Sequence, residues 1–201
     1  MLLSALFIGA VSATDFVTCG SVIKLVNKAY TMRLHSHEVT YGSGSGQQSV
    51  TGFRGETDSN SYWWIRGASE DSCKRGDSVM CGSEVLLTHI NTMKNLHSHH
   101  HRAPLTNNQE VSAYGNDGAG DAMDVWEVIC GGNNPWRRDS AVKLKHKGTQ
   151  KYLAASGQQF NRPISGQMEI VAQSKSGGAT EWKVAEGVFV SPPTQSGHDE
   201  L

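Results

Sequence analysis

The sequence lacks the features that identify most enzymes, nucleic-acid-binding proteins and membrane proteins. Its formal net charge is −1, whereas nucleic acids and anionic membranes usually bind a basic face. After the N-terminal residues, no segment approaches the ~18 consecutive apolar residues of a membrane span. Cys-x-x-Cys, Gly-x-Ser-x-Gly, phosphate-binding loops and His-Glu-x-x-His are absent. We therefore expect a protein that is not an enzyme, has no cofactor, binds no nucleic acid and has no membrane span.

Helical periodicity is also missing from the sequence. No segment keeps a 3.6-residue apolar period over ten residues. The 201 residues include 22 glycines, which favours many turns and short strands. The length suits one well-filled core or two small ones. The sequence therefore predicts an all-β fold.

The chain contains an internal repeat. Leu34-His35-Ser36-His37 returns as Leu96-His97-Ser98-His99, 62 positions later. A third copy keeps the leucines but has Ala154-Ala155-Ser156 in place of the histidines. In all three copies two leucines are nine residues apart: Leu25 and Leu34, Leu87 and Leu96, Leu144 and Leu153. The leucines therefore mark the architecture, whereas the histidines distinguish two of the three copies.

Each copy closes on a tryptophan followed by an aliphatic residue. Residues i and i+2 share one face of a strand, so both side chains are expected to point into the core. Four short strands in each of three copies make twelve, and no copy buries its apolar face alone. A closed β-trefoil built from three four-strand repeats, at about 21–76, 79–133 and 138–190 within a single domain over 14–190, leaves no long edge. The closing pairs are Trp63-x-Ile65, Trp126-x-Val128 and Trp182-x-Val184.

The two ends of the chain carry targeting patterns. Residues 1–13 are an apolar run that ends in small residues, which is typical of a secretory signal peptide; an ordinary buried N-terminal strand is the alternative. His198-Asp199-Glu200-Leu201 matches an endoplasmic reticulum retrieval signal. Residues 191–201 are expected to form a flexible tail that presents it. The sequence therefore predicts the endoplasmic reticulum lumen.

Four cysteines in an oxidising compartment are expected to pair. Cys19 and Cys81 open the first two repeats, and Cys73 and Cys130 follow the last strand of each. Repeat symmetry favours Cys19–Cys73 and Cys81–Cys130. A local Cys73–Cys81 bridge is the alternative.

Several gapless segments carry a resemblance to a known family. With its Leu-His-Ser-His and Trp-x-aliphatic motifs, the chain resembles MIR domains, β-trefoil modules also found in protein O-mannosyltransferases and intracellular calcium-release channels. More narrowly, it resembles the stromal cell-derived factor 2 family over essentially the whole mature chain. The segments are Cys19–Leu25, Tyr41–Gly52, Asn108–Gly115, Val125–Cys130 and Arg162–Gln167.

The resemblance implies a function that composition and spacing do not show. It implies a non-enzymatic lumenal quality-control factor, a subunit of a complex with a J-domain co-chaperone and an Hsp70-type chaperone. Such a subunit binds misfolded or O-mannosylated client proteins, with O-mannosyl glycans as a further partner. The alternative is a mannose-binding, lectin-like module that uses pockets near Arg33/His35 and Asn95/His97 to bind glycoprotein glycans.

The histidine clusters invite interpretation as metal sites, because neutral imidazole is a good zinc ligand. No cysteine or carboxylate stands at ligand spacing, so we expect no metal site and structural imidazoles bonded to loop carbonyls. The segment Asn116–Asp124 suggests calcium but departs from the EF-hand pattern, and we expect a turn. Six of the nine histidines lie in the two motif regions, expected to be loops: His35, His37, His97, His99, His100 and His101.

Two aromatic side chains are candidates for an outward-facing binding surface. Trp64 follows core Trp63 and must face the opposite side of its strand, and Tyr62 shares that side. Such a pair can contact a sugar ring or an apolar client segment. The alternative is that the 72–78 linker covers both rings.

Overall fold

A computed structural model of the protein describes residues 15–69 and 71–191. The predicted signal peptide, the retrieval signal and the tail from residue 192 onward lie outside these ranges.

The regular secondary structure of the described chain is almost entirely β-strand, so the all-β prediction is confirmed. Single turns of 3₁₀ helix lie at Ser59–Ser61, Ala122–Asp124 and Gly178–Thr180. Within these ranges no helix has the length and apolarity to cross a bilayer. The strands are β1 (Val22–Asn27), β2 (Arg33–Thr40), β3 (Gln48–Phe53), β4 (Trp63–Gly67), β5 (Glu84–His89), β6 (Lys94–Arg102), β7 (Gln109–Tyr114), β8 (Trp126–Ile129), β9 (Lys143–His146), β10 (Tyr152–Gln159), β11 (Met168–Gln173) and β12 (Trp182–Val188).

Six of the strands pair antiparallel into a closed ring. β1 pairs with β12 and β4, and the pairing continues through β5 and β8 to β9. A bridge between Val142 and Trp182 joins the segment just before β9 to β12 and completes the ring. Closure satisfies the strand edges that an open sheet exposes.

The other six strands form three hairpins that close one end of the ring. The hairpins are β2–β3, β6–β7 and β10–β11, and their second strands pair with one another. The three hairpins share one register: the second leucine of each repeat lies opposite a small residue of the neighbouring strand. The pairs are Leu34–Gly52, Leu96–Ala113 and Leu153–Ala172.

Three fully buried tryptophans join the hairpins to the ring. Each indole Nε1–H donates to the carbonyl oxygen of the second leucine of its own repeat, so the predicted core positions also carry a polar connection. The bonds are Trp63 to Leu34 at 2.9 Å, Trp126 to Leu96 at 2.8 Å and Trp182 to Leu153 at 2.9 Å. A buried N–H or carbonyl left without its partner costs about 1–3 kcal/mol.

Both disulfides follow the symmetric arrangement. Cys19 bonds Cys73 and Cys81 bonds Cys130, with Cα–Cα distances of 5.5 and 5.3 Å. Each bridge fastens the segment before the first strand of a repeat to the segment after its last strand.

Replacing Trp126 with Phe tests the tryptophan connection. The variant leaves the Leu96 carbonyl without its donor and a small void beside it, so the free energy of unfolding is expected to fall by about 2–4 kcal/mol. Urea denaturation of the purified protein measures the loss. Trp64→Phe is the matched control, since Trp64 is only half-buried, and it is expected to cost about 1 kcal/mol or less. Equal losses in the two variants would contradict this role.

Candidate functional site

The motif histidines lie in strands, and the prediction that they occupy loops is wrong. β2 runs through His35 and His37, and β6 runs from Lys94 to Arg102. The pairing with β3 and β7 continues past each motif leucine, because the ladder hydrogen bonds extend to Ser36 and Ser98 before the register shifts. His35 and His97 are each only 4% exposed.

In the first repeat, a carboxylate and two imidazoles form a hydrogen-bonded chain. Asp58 Oδ2 accepts from His35 Nδ1 at 2.8 Å, and His35 Nε2 lies 2.9 Å from His37 Nδ1. Burial lowers the pKa of His35 more than Asp58 raises it. Burial and the neighbouring His35 lower the pKa of His37. Both rings are therefore neutral at pH 7, so His35 Nε2 accepts from His37 Nδ1–H.

Asp58 is held by the turn that precedes the Trp63 strand. Ser61 Oγ donates to the same carboxylate oxygen at 2.7 Å. Burial pushes the pKa of Asp58 upward, but the hydrogen bonds from Ser61 and His35 outweigh it, and the pKa lies below its usual value. The carboxylate is therefore ionised and fixes the tautomer of His35.

The second repeat uses a different aspartate and breaks the chain after one imidazole. His97 Nδ1 donates to Asp124 Oδ1 at 2.8 Å, and Asn95 Nδ2 donates to Asp124 Oδ2 at 3.2 Å. His99 turns instead to Glu110, whose Oε1 lies 3.0 Å from His99 Nε2. Glu110 is fully buried and also accepts from Ser45. The prediction that structural imidazoles bond loop carbonyls is wrong for His35 and His97, because both bond carboxylates.

Three possible metal ligands lie together beside His97. The ligand atoms of His97, Asp121 and Asp124 are within 4.8 Å of one another. In this structure two of these ligand atoms, His97 Nδ1 and Asp124 Oδ1, are hydrogen-bonded to each other at 2.8 Å. The segment that suggested calcium forms a turn, closed by hydrogen bonds between Asn116 and Ala119, and Asp124 points to His97.

Charged side chains contact Arg33 and both candidate aromatic rings, Tyr62 and Trp64. Arg33 is buried, with its Nη2 3.6 Å from Glu56 and its Nε 3.6 Å from Glu186. The Lys24 ammonium lies 4.5 Å from the Tyr62 ring centre, and the Arg66 guanidinium lies 4.8 Å from that of Trp64. Trp64 lines a cleft of about 400 Å³ with Cys73 and Arg75, so the 72–78 linker borders this ring. A cation thus lies over each ring, and the binding surface expected at Tyr62 and Trp64 stays a prediction.

The carboxylates that bind the motif histidines were not predicted from the sequence. An aspartate stands five residues before the core tryptophan in the first two repeats, as Asp58 and Asp121, and glycine takes that place in the third. This coincidence with the histidines is a usable sequence signal. In the second repeat this signal points to Asp121, whose Oδ1 lies 3.7 Å from His97 Nδ1. The hydrogen-bonded partner of His97 is instead Asp124.

Two further histidines are buried against the tryptophans and bond carbonyls of the 3₁₀ turns that precede them. His89 Nε2 donates to Asn60 O at 3.0 Å, and His146 Nε2 donates to Met123 O at 2.8 Å. Their rings pack 5.1 Å from Trp63 and 4.9 Å from Trp126, centre to centre. Burial lowers the pKa of both, to about 4 for His89. Both rings are neutral supports of the core.

Comparison with known proteins places this geometry in a family. The MIR domain family matches residues 24–186. Stromal cell-derived factor 2-like protein 1 of Bos taurus is 52% identical over 194 residues, covering 96% of this chain and 87% of its own. The crystal structure of the SDF2-like protein from Arabidopsis thaliana is 42% identical with a TM-score of 0.86, covering 89% of this chain and 99% of that one. The S. cerevisiae protein O-mannosyltransferase Pmt1–Pmt2 complex, solved with its sugar donor, contains a region 29% identical with a TM-score of 0.78, covering 87% of this chain and 26% of that one.

The buried neutral histidines predict that stability falls in mild acid. The unfolded chain binds protons near pH 6.5, whereas His89 in the folded chain does so only near pH 4. Between these values, His89 alone lowers the free energy of unfolding by about 1.4 kcal/mol per pH unit. Asp58 acts in the same sense, because its pKa is also lowered in the folded chain, but its contribution is lost only as the pH falls below the ordinary value of 3.8. Urea midpoints measured from pH 7.5 to 4.5 are therefore expected to fall steadily.

His89→Gln provides the control for this pH dependence. Glutamine retains an amide donor and a carbonyl acceptor but does not titrate. We expect a stability curve flatter than that of the natural chain by about one proton. An unchanged slope would show that His89 is not a source of the acid sensitivity.

Proposed function

This chain belongs to the stromal cell-derived factor 2 family of MIR-domain proteins, and we propose that it is a non-enzymatic quality-control factor of the endoplasmic reticulum lumen. In this role it is a subunit of a complex with a J-domain co-chaperone and an Hsp70-type chaperone. It binds misfolded or O-mannosylated client proteins and keeps them in solution.

The observation that carries this proposal is the internal use of the motif histidines. His35 and His97 each donate to a carboxylate that is held by the turn before a core tryptophan. Their nitrogens therefore serve to fasten strands to turns. A general base needs an imidazole lone pair that reaches a substrate, whereas His35 Nε2 already accepts from His37 and both rings are only 4% exposed. This arrangement supports a binding scaffold in preference to a catalyst.

We also propose that the domain is a β-trefoil of three four-strand MIR repeats, at about 21–76, 79–133 and 138–190. The three indole-to-leucine hydrogen bonds and the common register of the three hairpins support this architecture. The closed ring and its hairpin cap agree with the six ring strands and six hairpin strands of such a fold.

The proposed location rests on the two terminal patterns and on the disulfides. Residues 1–13 act as a signal peptide and His198–Leu201 as a retrieval signal. The bonds Cys19–Cys73 and Cys81–Cys130 support an oxidising compartment, because disulfides persist in the endoplasmic reticulum lumen and are rare in the cytosol.

The second candidate function is a mannose-binding, lectin-like module that binds glycoprotein glycans. The similarity to a region of a protein O-mannosyltransferase complex supports this alternative. The pockets predicted near Arg33/His35 and Asn95/His97 are a weaker support, since all four side chains are buried and engaged.

Affinity purification distinguishes the two functions. The full chain, tagged after residue 13 and with residues 198–201 intact, is crosslinked and recovered from the lumen. We expect a J-domain protein and an Hsp70-type chaperone to co-purify and to remain bound in excess mannose. Release of all partners by mannose would favour the lectin, and recovery of neither class of partner would overturn the complex.

Deletion of residues 198–201 tests the proposed location. The variant is expected to pass into the culture medium, because a receptor no longer returns it to the endoplasmic reticulum. Deletion of residues 192–195 is the control of equal length, and this variant is expected to stay inside the cell. Equal retention of both variants would contradict the retrieval signal.

A further inference from the structure

A polar groove with one exposed aromatic ring lies beside the second hairpin. Its volume is about 550 Å³, within the range of small-molecule sites. The end of β2, the turn before β3, the turn between β5 and β6 and the end of β7 form its walls. We call it the Tyr114 groove, after its aromatic residue, and the motif histidines themselves do not line it.

Tyr114 is presented to solvent on a fixed support. Its side chain is 39% exposed, and its ring centre lies 4.9 Å from that of His97. His97 is in turn fixed by its hydrogen bond to Asp124. His97 is therefore a positioning residue that holds a flat apolar surface at the edge of the groove.

A chain of hydrogen bonds fixes a carbonyl oxygen inside the groove. His89 Nε2–H donates to Asn60 O, so His89 Nδ1 accepts from the Thr92 hydroxyl at 2.8 Å. Thr92 Oγ1 then accepts from Gln48 Nε2 at 2.9 Å, and Ser36 Oγ accepts from the same amide nitrogen at 2.8 Å. Both amide hydrogens of Gln48 are thereby used.

Gln48 Oε1 is consequently the free end of this chain. Gln48 is only 5% exposed, and among the described residues no donor bonds its Oε1. It is therefore a preorganised acceptor for a ligand hydroxyl. The amide orientation follows from the bonds to Thr92 and Ser36 and not from a choice of flip.

The remaining walls suit a neutral ligand that is rich in hydroxyl groups. Glu38 and Asp117 supply acceptors, and Lys94 supplies a donor. Lys94 Nζ is held by Gly115 O at 2.8 Å and by Asn116 Oδ1 at 3.3 Å. Two carboxylates and one ammonium give the groove a formal charge of −1, so an anionic ligand is disfavoured. A pyranose ring offers hydroxyls for these groups and a C–H face for the tyrosine ring.

The corresponding position between the second and third repeats has the same acceptor but no aromatic. Gln109 Nε2 donates to Ser98 Oγ and Thr149 Oγ1, and Thr149 pairs with His146 as Thr92 does with His89. In the strand register, however, Gln173 takes the place of Tyr114. The acceptor is thus common to two positions, whereas the stacking surface is confined to the Tyr114 groove.

We propose that the Tyr114 groove is a carbohydrate subsite that binds a neutral hexopyranoside, with the sugar face on Tyr114 and a hydroxyl donating to Gln48 Oε1. The inference rests on the proposed function in one respect only: the groove would be where the protein binds the sugar of an O-mannosylated client. It places the sugar away from the Arg33/His35 and Asn95/His97 pockets.

Nuclear magnetic resonance titration of the isotope-labelled mature chain tests this subsite. The probes are methyl α-mannopyranoside and methyl α-glucopyranoside, and glycerol serves as a polyol without a ring. We expect saturable shifts at the Gln48 side-chain amide and at Tyr114 with at least one glycoside and none with glycerol. Tyr114→Ala is expected to weaken binding at least about fivefold, whereas Tyr114→Phe keeps the ring and stays within about threefold.

Gln173→Ala is the matched control and is expected to bind the glycoside like the natural chain. Thermal unfolding verifies that each variant is folded. The subsite is overturned if neither glycoside produces saturable shifts in this groove, or if Tyr114→Ala binds like the natural chain. Shifts induced there by an unfolded peptide but by no glycoside would overturn the choice of ligand.

Affinity purification of Tyr114→Ala separates this inference from the proposed complex. Retention of the J-domain protein together with loss of glycoside binding supports both. Absence of glycoside binding in a natural chain that still recovers the J-domain protein overturns the subsite alone. Glycoside binding without recovery of any chaperone overturns the complex alone.

Discussion

The hydrogen bond from a buried indole to a leucine carbonyl is the interaction on which the structure depends. It joins the last strand of each repeat to the hairpin of the same repeat, between residues 29 or 30 positions apart. The indole fills the core while its N–H satisfies a carbonyl that would otherwise be buried without a partner. Because this bond forms at the leucine of the motif, it also fixes the backbone that carries the following histidine. Core packing and the placement of the polar site are therefore one constraint.

The motif histidines extend the same connection to the turn before each tryptophan. His35 reaches Asp58 and His97 reaches Asp124, so in both repeats a hydrogen bond from an imidazole to a carboxylate links the hairpin to the turn. In the third repeat Ala154 replaces the histidine, and the turn closes on itself through Thr180 Oγ1 and Gly177 O at 2.7 Å. The histidine is therefore an addition to the architecture and not a requirement of it, since the tryptophan bond persists without it.

The features that recur at fixed spacing could be predicted from the sequence, whereas the partners across the fold could not. Repetition identifies the leucines, the Trp-x-aliphatic pairs and the cysteines, and these residues predict the all-β fold and its core. Asp58 and Asp124 could not be assigned because the choice of aspartate depends on the geometry of each turn. The motif histidines were expected in loops because polar residues interrupt the apolar alternation. In the structure the strand pairing continues through them. The Tyr114 groove was missed because its walls come from two repeats, and only the closed fold brings them together.

The pairing of histidines with aromatic residues explains why the motif occurs in two repeats and not in three. His35 packs 5.2 Å from the Phe53 ring centre, and His97 packs 4.9 Å from that of Tyr114. Phe53, Tyr114 and Gln173 hold the same register position at the ends of their strands. The third repeat thus lacks both members of the pair, as expected if the imidazole serves to support the ring. Phe53 is less exposed than Tyr114, and the ring supported in the second repeat is the one that reaches solvent. The motif that first suggested two metal sites therefore supports two aromatic rings, and the ring of the second repeat lies beside a polar groove with a fixed acceptor.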